Sequence, residues 1–161
     1  MARLDQNWIP GTIISGGQTG VDRAALDWAI SRNINHGGWC PKGRMASDGP
    51  LPIRYLLRET ESDGYRQRTK LNVQDSDATL IFNVGLLEGG TRQTVKFAQT
   101  MNKPYKIILL ESFQLQDAAI DVTTWLNCFR FSTINIAGPS EARRVGIYTR
   151  VLNVLNECIY L

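Results

Sequence analysis

The chain has 161 residues, enough for one domain with its own core and too few for two comfortable ones. A formal charge of +3, with 20% charged and 43% hydrophobic residues, is ordinary for a globular protein and excludes the dense basic stripe of a dedicated nucleic-acid binder. Cys40, Cys128 and Cys158 are odd in number and far apart, which excludes a disulfide framework and a CxxC zinc site. With no apolar leader and no run of membrane-spanning length, a cytoplasmic protein with no membrane partner is expected.

In chain order, "GTIISGG" (11–17) predicts a buried strand, followed by a helix over 20–32 with Val21, Ala25, Trp28 and Ala29 on one face. "INHGGWC" (34–40) reads as a weak strand. Residues 41–64 hold three prolines and predict an irregular insertion with a turn of helix around Tyr55–Leu57. A polar helix is expected over 65–76, a buried strand over 77–85, a helix over 88–103 and a strand over 104–110. Residues 115–129 suit a helix, 132–140 a strand and 141–160 a last helix. On that last helix Tyr148, Val151, Leu152, Leu155 and Ile159 repeat at helical spacing, which leaves Val154 and Leu161 off the stripe. Strands that alternate with helices and are almost continuously apolar predict an α/β fold, a parallel sheet with helices on both faces, in a single domain over 1–161.

Three glycine-bearing turns, "SGGQTG", "EGGT" and "AGPS", each follow a predicted strand and precede a helix. In an open α/β sheet such turns meet beyond the carboxyl ends of the strands, where bare N–H groups can hold an anion. No Gly-Lys-Ser/Thr follows the first turn, and GxGxxG is only half present, so neither a Walker A loop nor a dinucleotide fingerprint is expected. The first turn offers Gly16, Gly17, Gln18, Thr19 and Gly20 as anion contacts. Thr19 is also a good helix N-cap with Asp22 completing a capping-box-like pair, which is compatible with binding through the remaining N–H groups. Asp22 would also orient Arg23, which either reaches a phosphate or is solvated. The second turn offers Gly89, Gly90, Thr91 and Thr94, with Thr91 also a candidate N-cap. Gly138 and Ser140 complete the third. Lys42 and Arg44, just after a strand end, are better anion candidates than Arg66, Arg68 and Lys70, which read as a solvated face. Asn72, Asp75 and Ser76 either line the pocket or satisfy a helix end. Cys40 is a possible soft metal ligand or a packing residue, and His36 belongs to no metal constellation.

"SGGQTGVDRAALD" (15–27) resembles the signature of the molybdenum cofactor carrier protein family, within the SLOG superfamily of Rossmann-like proteins. "GGWCPKGRMASDG" (37–49), "YRQRTKLNVQDSDATLIF" (65–82), "GGTRQT" (89–94) and "AGPSEARRVGIY" (137–148) look like successive blocks of that family in order. The resemblance implies a Rossmann-like fold, a homo-tetramer or dimer, and a pocket for the phosphorylated pterin of the molybdenum cofactor (molybdopterin), with molybdoenzymes as recipients. The chain departs from the family at Ser47, where Glu is usual, and at Ser140, where Arg is usual; Arg143 or Arg144 would replace the missing cation. The phosphoribohydrolase branch of the superfamily carries a catalytic glutamate on the helix after its Gly-Gly-Thr block. Here that helix reads Arg92-Gln93-Thr94-Val95-Lys96, so a carrier is expected, with a phosphoribohydrolase-like nucleotide-processing enzyme or a nucleotide sensor as alternatives.

Overall fold

The computed structural model describes residues 7–112 and 114–159. The chain runs β1 (Thr12–Ile14), α1 (Val21–Ser31), β2 (Asn35–Gly37), β3 (Trp39–Cys40), β4 (Met45–Ala46), β5 (Gly49–Pro50) and β6 (Arg58–Glu59). It continues through α2 (Tyr65–Gln74), β7 (Ala78–Asn83), α3 (Gly89–Thr100), β8 (Tyr105–Leu109), α4 (Leu115–Phe129), β9 (Thr133–Ala137) and α5 (Ile147–Glu157). Five strands form one sheet in the order β2-β1-β9-β7-β8, every pair parallel.

β9 is last in sequence and central in the sheet. Counted from β9 as the first strand, and continuing from the chain's end to its beginning, the order becomes 3-2-1-4-5, that of a Rossmann sheet. The fold is therefore α/β and Rossmann-like, with its chain order rotated. The rotation decides where the ligand crevice lies. Strand order reverses between β9 and β7, so the switch point sits beyond Ala137 and Asn83.

All six residues of β7 are buried, because helices cover both faces. Leu80 and Phe82 join Trp28, Val122 and Val151 in the larger core beneath α1, α4 and α5. Val73, Phe97 and Ala98 form a smaller core where α2 packs on α3.

Four expectations about elements change. The insertion over 41–64 is ordered: β3 pairs with β6, β4 pairs with β5, and Leu51, Tyr55 and Leu57 bury against Leu26 and Cys40. Burial of such side chains is worth about 1.5–3 kcal/mol each, enough to draw the segment onto α1. The expected turn of helix at Tyr55 is a reverse turn, with Tyr55 N–H on the Pro52 carbonyl at 3.1 Å. The weak strand over 34–40 breaks at Gly38, which packs against the Ser15 carbonyl.

The last helix begins at Ile147 rather than 141, because Gly146 takes a left-handed conformation (φ 86°). The Glu141 carboxylate accepts the Gly146 and Tyr148 N–H groups and so starts the helix from outside. Its buried residues are Ile147, Val151, Val154 and Leu155, so Val154 belongs to the core and is no exposed surplus; Leu161 lies outside the described residues. Among the described residues no helix is long and apolar enough to cross a membrane.

Candidate functional site

The first turn, after β1, is fastened by its own neighbours. Gln18 N–H donates to the Asp22 carboxylate at 3.3 Å, and Thr19 N–H to the side-chain oxygen of Gln18 at 2.9 Å. That oxygen also accepts the Ser47 N–H and hydroxyl, at 2.9 and 2.5 Å, which ties the insertion to the turn. Val21 N–H donates to the Pro139 carbonyl at 3.2 Å. A Cβ at Gly20 would stand 2.5 Å from the Pro139 oxygen, so glycine there allows the first and third turns to touch. Of the expected row of bare donors, the N–H groups of Gln18 and Thr19 are already occupied.

Asp22 is 3% exposed and lies 3.2 Å from the Arg68 guanidinium. Burial pushes its carboxyl above the usual carboxylate range, while Arg68 and the Gln18 N–H pull the other way. Arg68 packs against Gly16 and keeps its buried Nε without a partner among the described residues.

The second turn is open. Glu88 precedes α3 with extended backbone and makes no side-chain cap, so the first N–H groups of α3 remain available. A Cβ at Gly90 would meet nothing within 4 Å. In the third turn the Ser140 carbonyl accepts the Arg143 and Arg144 N–H groups, both at 3.1 Å. This roll of the chain lays the Arg143 guanidinium over Gly89.

Between these turns lies a cleft of about 300 Å³. Glu88, Gly90 and Thr91 form one wall and Gly138, Pro139 and Ser140 the other; Arg68 and Arg143 bring positive charge, and Gln18, Ser47 and Tyr65 close the ends. Two guanidiniums beside an uncapped helix N-terminus suit an oxyanion. Glu88 is the one carboxylate among the described lining residues.

Of the residues singled out in the sequence, Gln18, Gly90, Thr91, Gly138 and Ser140 meet in this cleft. Thr19, Gly20 and Arg23 line a different depression, on the far side of the first turn. Thr19 is not the helix cap, since Gly20 holds that position. Arg23 grips Asp48 through two nitrogens at 3.0 and 3.1 Å, and it is Arg68 that Asp22 orients. The Arg23 bond holds the Asp48 carboxyl below the usual range. Gly17 faces inward: a Cβ there would meet Leu51 and Leu57, not an anion. Gly89 borders a groove beside the cleft.

The remaining candidates are engaged elsewhere. Arg44 donates to the carbonyls of Leu57, Pro52 and Tyr55 and clasps the insertion, while Lys42 is exposed on it. Asn72 holds both the N–H and the carbonyl of Trp39. Ser76 donates to Val73 O at the amino end of β7, across the sheet from the cleft. The Thr94 hydroxyl is spent on the Gly90 carbonyl at 2.9 Å. Cys40 is buried among apolar side chains, and His36 Nε2 accepts the Leu56 N–H at 3.2 Å. Among the described residues no three His, Cys, Asp or Glu side chains gather as a metal site.

Sequence reasoning ranked Lys42 and Arg44 ahead of Arg68, whereas the structure brings Arg68 to the cleft and leaves Lys42 and Arg44 on the insertion. A signal existed: α2 has few apolar residues, so the side it buries includes Thr69 and Asn72, and Arg68 stands one turn from Asn72. A helix that buries polar groups is packing against something that needs them.

Comparisons with known proteins agree with this fold. The sequence profile described as "Circularly permutated YpsA SLOG family" matches residues 13–159. A crystal structure of a "putative molybdenum carrier protein" from Syntrophus aciditrophicus SB is 41% identical, with a TM-score of 0.93, covering 98% of this chain and 99% of that one. No curated protein matches. The match over nearly the whole chain and the rotated strand order lead to one conclusion: the chain belongs to the circularly permutated YpsA SLOG family.

Proposed function

We propose that this chain binds a small phosphate-bearing ligand, the molybdenum cofactor or a close pterin relative, and carries it without performing chemistry. The observation that supports the reading is the cleft at the switch point, where Arg68, Arg143 and the uncapped start of α3 face one another. The structural neighbour's description as a molybdenum carrier supports the identity of the cargo.

The residues present fit the phosphate of such a cofactor. Gly90 and Thr91 N–H groups and Arg143 would hold it, with Arg68 positioned by Asp22 behind it. Bound there, the cofactor supplies the metal centre that a recipient molybdoenzyme will use. The chain's own part is to position the phosphate and shelter the pterin. On this reading residues 1–161 act as one domain in the cytoplasm and assemble as a dimer or tetramer, which light scattering at micromolar concentration tests.

Mass spectrometry of small molecules released by denaturing the purified protein tests the cargo. A phosphorylated pterin supports the carrier, and a nucleotide in its place contradicts it. Glu88 favours a second reading, because it puts a carboxylate on the cleft just before the helix where the hydrolase branch has its glutamate. If nucleoside monophosphates were turned over to free base, and Glu88→Gln stopped it, the enzyme reading would replace the carrier.

A further inference from the structure

The cleft does not end at Gly90. A groove of about 380 Å³ continues between the first turns of α2 and α3, sharing Tyr65 and Gly90 with the cleft. Thr69 lies at its base, buried, with its hydroxyl turned back to the Tyr65 carbonyl. Arg66, Arg92 and Lys96 stand along its sides, all three exposed. None of the three is within ion-pair distance of a carboxylate among the described residues, and no described residue lining the groove is acidic. Arg66 is held across the Phe97 ring, its guanidinium carbon 5.0 Å from the ring centre.

This arrangement differs from an ordinary solvated helix face. Arg92 and Lys96 are one turn apart on α3 and would repel each other at that spacing; Arg66 adds a third positive charge from the facing helix. Three like charges around one concavity, joined to a cleft that already carries two guanidiniums, concentrate positive potential along a single path. The junction is a glycine with open space where a side chain would stand.

Resting on the reading of the cleft as an anion site, we infer that the ligand is an organic diphosphate: one phosphate lies in the cleft and the next passes over Gly90 into the groove between α2 and α3. Arg92 and Lys96 take the second phosphate. Arg66, fixed on Phe97, closes the groove's other side.

Calorimetric titration with inorganic phosphate and with inorganic pyrophosphate, at about 0.15 M salt, tests this. The wild-type chain binds pyrophosphate at least about tenfold more tightly than phosphate, and the double variant Arg92→Gln/Lys96→Gln loses most of that advantage while its phosphate affinity holds. Glutamine keeps the helix propensity of both positions, so the variant folds. The inference is overturned if the variant keeps the full pyrophosphate advantage, or if phosphate weakens as much as pyrophosphate. Should wild-type protein bind neither anion, the cleft reading itself falls, and the extension with it.

Discussion

The turns after β1 and after β7 are both rich in glycine and both stand at the carboxyl edge of the sheet, yet they spend their backbone donors differently. After β1, N–H groups go to Asp22, to Gln18 and to the Pro139 carbonyl, and Gly20 lets the third turn lie against the first. After β7, α3 starts without a cap and Gly90 faces empty space. One turn uses glycine for close packing of the protein on itself, and the other leaves room for something else. In the rotated strand order the second is beside the switch point and the first is one strand removed, so topology separates the two roles where composition cannot.

The same substitution in the two turns should therefore act with opposite sign. Gly20→Ala puts a methyl group onto the Pro139 carbonyl at a left-handed backbone position (φ 88°). It should cost about 3 kcal/mol or more, read as a lower urea midpoint. A loss under about 0.5 kcal/mol would show that the contact between turns relaxes freely.

Asp22→Asn leaves Arg68, 13% exposed in its side chain, without its counter-charge. Breaking a buried pair from one side costs about 3 kcal/mol, and the first turn should also loosen, with faster amide exchange at Gln18. Unchanged stability would mean that the pair contributes nothing to the turn.

Gly90→Leu is expected to fold normally, since its side chain enters open space, and to weaken phosphate binding by more than about tenfold, or 1.4 kcal/mol. Gly90→Ala is smaller still: stability should rise by no more than about 0.5 kcal/mol, because alanine is the better helix former. A destabilised Gly90→Ala would erase the contrast with Gly20.

The smallest effect lies away from both turns. The hydroxyls of Tyr55 and Tyr148 donate to the two oxygens of Asp27, at 2.6 and 2.7 Å. Burial first, then the bond to Asp27, pushes the Tyr148 hydroxyl up to about 12. A raised pKa stabilises the fold fully below the unfolded value of about 10, and that contribution is lost as pH rises toward 12. The stability difference between wild type and Tyr148→Phe should shrink across that window; a constant difference would place the tyrosine outside the titration.

Much of the fold was legible because β7, β8 and α1 carry strong patterns: six consecutive buried residues in β7, and Val21, Ala25, Trp28 and Ala29 on one helical face. The insertion was not, since its ladders are two residues each and its order comes from Leu51, Tyr55 and Leu57 meeting α1, a tertiary event with no local period. The start of α5 was lost for a similar reason: Glu141 and Gly146 act together across a loop. At the site, the three turns were visible as motifs, but which N–H groups were already taken depended on side chains brought from far along the chain. Arg68 reaches Gly16 across 52 positions of sequence, and the Pro139 carbonyl reaches Val21 from the other end.

Crystals soaked in arsenate, a phosphate analogue with its own anomalous signal, test the central claim most directly. The account predicts an anion peak between the N–H groups of Gly90 and Thr91 and the Arg143 guanidinium. A peak seated instead on the turn of residues 16–20, with that second position vacant, would contradict it.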